Sequence, residues 1–126
     1  MASAVWASLD TIRGKDCLQY RIRFSARASV LLKNVDYVYV RRTESGSHII
    51  LSPMSCFSAD KGMPRDVYHV GWWNGVPVVY CTPLVSGGFF RRDLFDGEHR
   101  KLKRDSKGRV YICMNEIIEK EDKKKG

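Results

Sequence analysis

Arg21 and Arg23 alternate with Tyr20, Ile22 and Phe24, and Arg109 opens a second alternating run, Val110-Tyr111-Ile112. A period of two marks a half-buried strand with one wet face, so the arginines of each run point one way. A planar guanidinium so placed can clamp a phosphate or read guanine through two parallel hydrogen bonds. Arg27, Arg41, Arg42, Arg100, Lys101, Lys103, Arg104 and Lys107 lie near these runs and complete the set expected to meet nucleic acid. The competing reading is a solvated face that blunts sheet edges and pairs with Asp93, Asp96, Glu98 and Asp105.

The distribution of charge bears on that choice. The 126 residues carry 22 Lys and Arg against 14 Asp and Glu, a net +8. Residues 1–42 hold eight cations and three carboxylates, and residues 91–115 hold eight and four. Residues 43–90 hold two and three, and residues 116–126 balance. Segregation of this kind is the footprint expected of a polyanion-binding surface. If about five to seven cations met phosphates of a duplex, the salt slope would be about −5 to −6.

Other chemistries find little support. Cys17, Cys56, Cys81 and Cys113 lack the close C-x₂₋₄-C spacing of a zinc knuckle, and His48, His69 and His99 are equally scattered. Cys81 and Cys113 adjoin apolar runs, where a thiol acts as a small hydrophobe, so neither metal nor cofactor is expected. Asp93, Asp96, Glu98 and His99 cluster as a nuclease's carboxylates would, but they interleave with Arg91, Arg92 and Arg100, and ion pairing in a loop accounts for them. No glycine-rich phosphate cradle is present. The expectation is a binding protein, not an enzyme. No run approaches the roughly 20 apolar residues of a membrane span and no signal pattern opens the chain, so a reducing cytoplasm, bacterial or phage-infected, is expected.

The elements that must position the arginines are short. Trp6 lies in a weakly apolar opening strand within Met1–Ser8, followed by the Tyr20–Phe24 strand. Ser25 can cap a helix of about two turns that ends at Asn34. Asp36–Arg42 and His48–Leu51 form a hairpin across Thr43–Ser47, and Ser52–Asp66, with its prolines and serines, reads as a long connection. Val67–Trp73 and Val76–Cys81 flank Asn74-Gly75, a type I′ turn, with Pro77 at an edge or bulge. Consecutive strand residues face opposite ways, so one of Trp72 and Trp73 is expected in the core and the other exposed as a partner contact. Thr82–Gly88 reads as loop, Phe89–Phe95 as a helical turn and Asp96-Gly97 as a turn. Beyond the strand Arg100–Arg104, Asp105–Gly108 forms a tight turn. Arg109–Cys113 is a strand, and Asn115 caps a closing helix Glu116–Lys124 with a frayed tail over 120–126.

Two units therefore echo each other, near 20–34 and 108–124: an arginine, an alternating strand, a cap and a helix. Together with the turn Asp105-Ser106-Lys107-Gly108-Arg109, they resemble the swapped-hairpin DNA-binding fold of AbrB and MazE-like regulators and antitoxins. There a turn of the type Ser-Lys-Gly-Arg leads an alternating strand into a short helix. That resemblance implies interlocked dimers whose basic strands and loops dock on duplex DNA. Where the family carries proline at the strand–helix junction, this chain has Ser25 in one copy and Cys113-Met114 in the other. The segment FSARASVLLKNVDYVYVRR also resembles small uncharacterised proteins of bacterial mobile elements.

The expectation is one α+β, β-rich domain over residues 1–126. Its short strands and hairpins form a small barrel-like sheet with two or three short helices. Its expected role is that of a dimeric DNA-binding transcriptional regulator or antitoxin. The alternatives are a phage or mobile-element protein that binds and inhibits a host nucleic-acid enzyme through Trp72 and Trp73, and a single-strand or RNA-binding module.

Overall fold

The computed structural model describes residues 5–54 and 67–118. Nine strands are present among them: β1 (Trp6–Arg13), β2 (Leu18–Phe24), β3 (Tyr37–Arg42), β4 (His48–Met54), β5 (Val67–His69), β6 (Gly71–Trp73), β7 (Val76–Tyr80), β8 (His99–Arg104) and β9 (Val110–Ile117). They form one antiparallel sheet in the order β5-β3-β4-β9-β8-β1-β2-β7-β6. Its two outer strands are successive pieces of one segment: β5 pairs with β3, Val70 intervenes, and β6 pairs with β7. That single change of partner nearly closes the sheet into a barrel. Val70 is buried, and its N–H donates to the Asp36 carbonyl at the crossing point.

The alternating pattern decides what fills the barrel. Leu9, Ile22, Phe24, Val38, Val40, Ile49, Leu51, Val79, Val110 and Ile112 point inward and are almost wholly buried. Ser25 accepts from the Ala28 N–H and opens a 3₁₀ helix, Ala26–Leu32, that buries Ala28 and Leu32. Asn34, with φ of 65°, ends that turn in the left-handed region, where asparagine is among the tolerated residues. Asn74 and Gly75 take φ of 52° and 81°, as a type I′ hairpin turn requires. Pro77 lies opposite Trp72, one residue beyond the last β2–β7 pair at Val78, so its missing N–H costs no bond to β2. No helix among the described residues is long and apolar enough to cross a membrane.

Four expectations change. Thr82–Gly88 is not a plain loop: Thr82–Ser86 forms α1, with Pro83 in its first turn and Leu84 and Val85 buried. With Phe90, Phe95 and a 3₁₀ turn at Arg92–Leu94, it covers the barrel end where β7 leaves and β8 enters. Asn115 caps no helix, because β9 runs on to Ile117, with Arg100 opposite Ile117 and the Ile118 N–H bonded to the His99 carbonyl. The available edge of β8 outweighs the helical propensity of that stretch, so the second echo unit continues as strand where the first turns into a helix. Residues 119–126, with the rest of that closing segment, lie outside the described residues. The opening strand extends well past Ser8, to Arg13. Finally, both Trp72 and Trp73 are exposed, at 48% and 61%, because β6 is a three-residue outer strand with little sheet over it.

Inside–outside alternation gives a direct test. Leu51 faces the core, while its neighbour Ile50 faces outward between Tyr111 and Arg41. Leu51→Ala should cost about 2–5 kcal/mol of unfolding free energy and Ile50→Ala under about 1 kcal/mol, read from urea midpoints. Equal costs would mean the register of β4 is wrong.

Candidate nucleic-acid interface

β2, β1, β8 and β9 are consecutive neighbours in the sheet, so the two basic segments, distant in sequence, flank the same strand. Strand spacing sets the β2 and β8 columns about 10 Å apart across β1. On the outer face, Arg21 and Arg23 of β2 converge on Asp10 of β1. Arg21 Nε lies 3.2 Å, and Arg23 Nε 2.9 Å, from the same oxygen, Asp10 Oδ2. Ser8 Oγ donates to the other oxygen, Asp10 Oδ1. The Trp6 ring stacks on His99 with centroids 3.6 Å apart and planes 7° from parallel, and the Arg23 guanidinium lies 5.2 Å from its centroid.

Two further groups extend this face. Lys101 and Lys103 of β8 share one carboxylate, Glu116 of β9, at 3.7 and 3.9 Å, and all three side chains are about half exposed. Exposed pairs at such distances contribute little stability. At the β8–β9 turn, Asp105 accepts from the Lys107 and Arg109 N–H groups at 2.9 Å, from Arg109 Nε at 2.7 Å and from the Tyr111 hydroxyl at 3.2 Å. Gly108, with φ of 84°, lets the chain double back there. Arg104 and Lys107 are exposed and carry no ion pair among the described residues. The outer face and the turn thus set six cations against three carboxylates, whereas Arg104, opposite buried Val110 and in phase with Leu102, points to the other side of β8.

Arg100 does not belong to it. It lies opposite Ala7 on the inner side of β8 and is 6% exposed. Its Nε donates to the Met114 carbonyl, and Nη1 and Nη2 donate to the two oxygens of Asp96 at 2.9 and 3.0 Å. Every nitrogen of that guanidinium is engaged, so Arg100 is a structural residue and not a nucleic-acid contact. Arg21, Arg23 and Arg109 are also paired with carboxylates, but through Nε alone, and their Nη edges have no acceptor among the described residues. Arg27 is exposed on the 3₁₀ helix at the barrel end that carries the β8–β9 turn. Arg41 and Arg42 stand apart at the far end of β3, over the rings of Tyr39 and Phe89. Trp72 and Trp73 lie on β6, beyond β7 from the arginines of β2.

The acidic cluster resolves into structural pairs: Asp93 with Arg91, and Asp96 with Arg100 and the Glu98 N–H. Among the described residues no group of three His, Cys, Asp or Glu side chains could hold a metal ion. Burial pushes the Cys81 thiol up to about 12 and raises Cys113 as well, so neither is a thiolate at neutral pH. Cys17 is free and exposed, and Cys56 lies outside the described residues. Asp10 and the Trp6–His99 stack are the parts that sequence reasoning missed. Their one signal was the alternation Ala7, Leu9, Thr11 against Ser8, Asp10, Ile12.

Three carboxyls on or beside this surface sit below their ordinary range. Burial raises that of Asp10, but the Ser8 hydroxyl and the guanidiniums of Arg23 and Arg21 more than offset it. The Arg100 guanidinium holds Asp96 down, against some desolvation. Desolvation also opposes the shift at Asp105, yet the Arg109 and Lys107 donors bring it to about 2. A carboxyl lowered on folding stabilises the native state above its unfolded value, here 3.8, and that contribution vanishes as pH falls through the folded value. The urea midpoint should therefore fall between about pH 5 and about pH 2, and Asp96→Asn should flatten part of that decline. An Asp96→Asn variant with an undiminished decline would show that the Arg100 pair does not carry it.

No protein-family model matches the chain, and neither a curated protein nor a solved structure matches it.

Proposed function

We propose that this protein binds duplex DNA through the outer face of β2-β1-β8-β9 and the β8–β9 turn, as a small dimeric regulator or antitoxin. The observation that supports it is how the arginines are held. Arg21, Arg23 and Arg109 are each anchored through Nε, with the Nη edge left for a phosphate or a base edge. Of the resemblance to AbrB and MazE-like proteins, the turn Asp105–Arg109 lies at the edge of this face, while β9 runs on as strand where that family turns into a helix.

Magnitude separates this reading from a merely solvated face. Six cations less three carboxylates leave three charges, so the logarithm of affinity should fall with the logarithm of salt at a slope of about −3. That is shallower than a count of cations alone implies. It amounts to about fortyfold weakening between about 50 and 200 mM salt, read by fluorescence anisotropy on a labelled duplex. Replacing Arg21, Arg23 and Arg109 with glutamine should abolish the slope together with the binding. Salt-independent or unchanged binding would refute the proposal, and a single strand that outcompetes the duplex would transfer it to single-stranded nucleic acid.

The β6–β7 hairpin supplies the dimer contact in this reading, since aromatic side chains carry much of the binding energy at protein interfaces. A second reading, favoured by the same two exposed tryptophans, makes the hairpin the dock for another protein, such as a host nucleic-acid enzyme. Sedimentation velocity distinguishes the two. A wild-type dimer that becomes monomeric on Trp72→Ser with Trp73→Ser supports the first, and a wild-type monomer leaves the second.

A further inference from the structure

We infer that Arg21, Asp10 and Arg23 form a preset receptor for one backbone phosphate, in which Asp10 is a positioning residue and not merely a charge to be overcome. The inference rests on the DNA-binding reading above and deepens it at one site. Asp10 is opposite Arg21 in the β1–β2 register and Ser8 is opposite Arg23, so both guanidiniums lean toward one carboxylate. Their Nε atoms lie within 3.2 Å of a single oxygen, and the other oxygen is taken by Ser8. Among the described residues neither arginine bonds to protein through Nη, so each presents its two-nitrogen edge away from the anchor.

Burial and packing keep the edges in place. The side chains of Arg21 and Arg23 are 21% and 31% exposed, and Trp6 lies against the guanidinium of Arg23. An open hollow of about 350 Å³ beside them, bordered by Thr11, Ile12, Phe95 and Gly97, leaves room for a tetrahedral anion. The other carboxylate at its wall, Asp96, is already bound by both Nη groups of Arg100. Two guanidiniums against one carboxylate retain a single positive charge, matched to a phosphodiester. Holding them before binding removes most of the ordering cost that free arginines would incur.

Charge and position make opposite forecasts for one substitution. Asp10→Asn removes a negative charge from a DNA-facing surface, and by charge alone it should tighten binding several-fold, as an added phosphate contact does. The receptor predicts the reverse, about tenfold weaker binding to the duplex at about 100 mM salt. Glu116→Gln makes the same charge change beside Lys101 and Lys103, which are loosely held, and it should tighten binding. Arg23→Lys keeps the charge but loses the fork and should weaken binding as Asp10→Asn does. Thermal melts of each variant confirm that the measurement is made on folded protein. If Asp10→Asn and Glu116→Gln both tighten binding, or Arg23→Lys changes nothing, the receptor is overturned while DNA binding stands. If the wild-type protein does not bind the duplex, the underlying reading fails and this one with it.

Discussion

β1 has a hydrogen-bonding edge on each side, and the chain fills the two edges with strands from opposite ends of its sequence. β2 follows it directly, while β8 returns after some eighty residues, and both pair with Ala7 and Ser8. Because side chains alternate faces, that ladder also decides which cations meet. Arg21, Arg23, Lys101 and Lys103 fall on the outer face, and Arg100, one residue out of phase, falls inside. A slip of one residue along β8 would bury Lys101 and release Arg100. The charge pattern of the surface is thus a consequence of register, and register is held by the core beneath it, where Leu9, Ile22, Leu102 and Ile112 face inward together.

The same side-chain type is used in two chemically different ways on neighbouring strands. Arg100 gives all three nitrogens to Asp96 and to the Met114 carbonyl, which ties the start of β8 to β9 and to the loop before it. A buried guanidinium left partly unpaired would be strongly destabilising, so complete engagement is what permits the residue there. Arg21, Arg23 and Arg109 give only Nε, and they remain partly exposed. What separates Arg100 from these three arginines is the number of nitrogens the fold uses, more than whether a carboxylate stands nearby.

Features legible in the sequence were those whose physics is local. The alternation over Tyr20–Phe24, the Ser25 cap, the left-handed Asn34, the Asn74-Gly75 turn and the Asp105–Gly108 turn each depend on a few adjacent residues. What escaped notice depends on partners far along the chain. Nothing near Asn115 announces that β8 will offer an edge to Ile117, and nothing near Asp10 announces Arg21 and Arg23 until the β1–β2 register is known. The change of partner at Val70 is hidden in an otherwise ordinary strand, because only the three-dimensional sheet shows that its halves pair with different neighbours. The tryptophan expectation failed for a related reason: alternation assigns an inner face only where enough sheet surrounds a residue to provide one.

Net charge is therefore a poor guide to what this surface can do. Of the six cations on the outer face and its turn, Arg21, Arg23 and Arg109 are held by short bonds to carboxylates fixed in the sheet or the turn. Lys101 and Lys103 sit at the outer limit of contact with Glu116 on flexible stems. An anchored guanidinium loses little freedom on meeting a phosphate and tolerates little error in where that phosphate lies, whereas a loosely held ammonium accepts many positions for a small gain in each. Carboxylates on such a face lower the long-range attraction that brings a polyanion in, and in exchange they fix the geometry it meets on arrival. In the proposed role, such an arrangement would favour a ligand whose phosphates are regularly spaced over one that is merely negative.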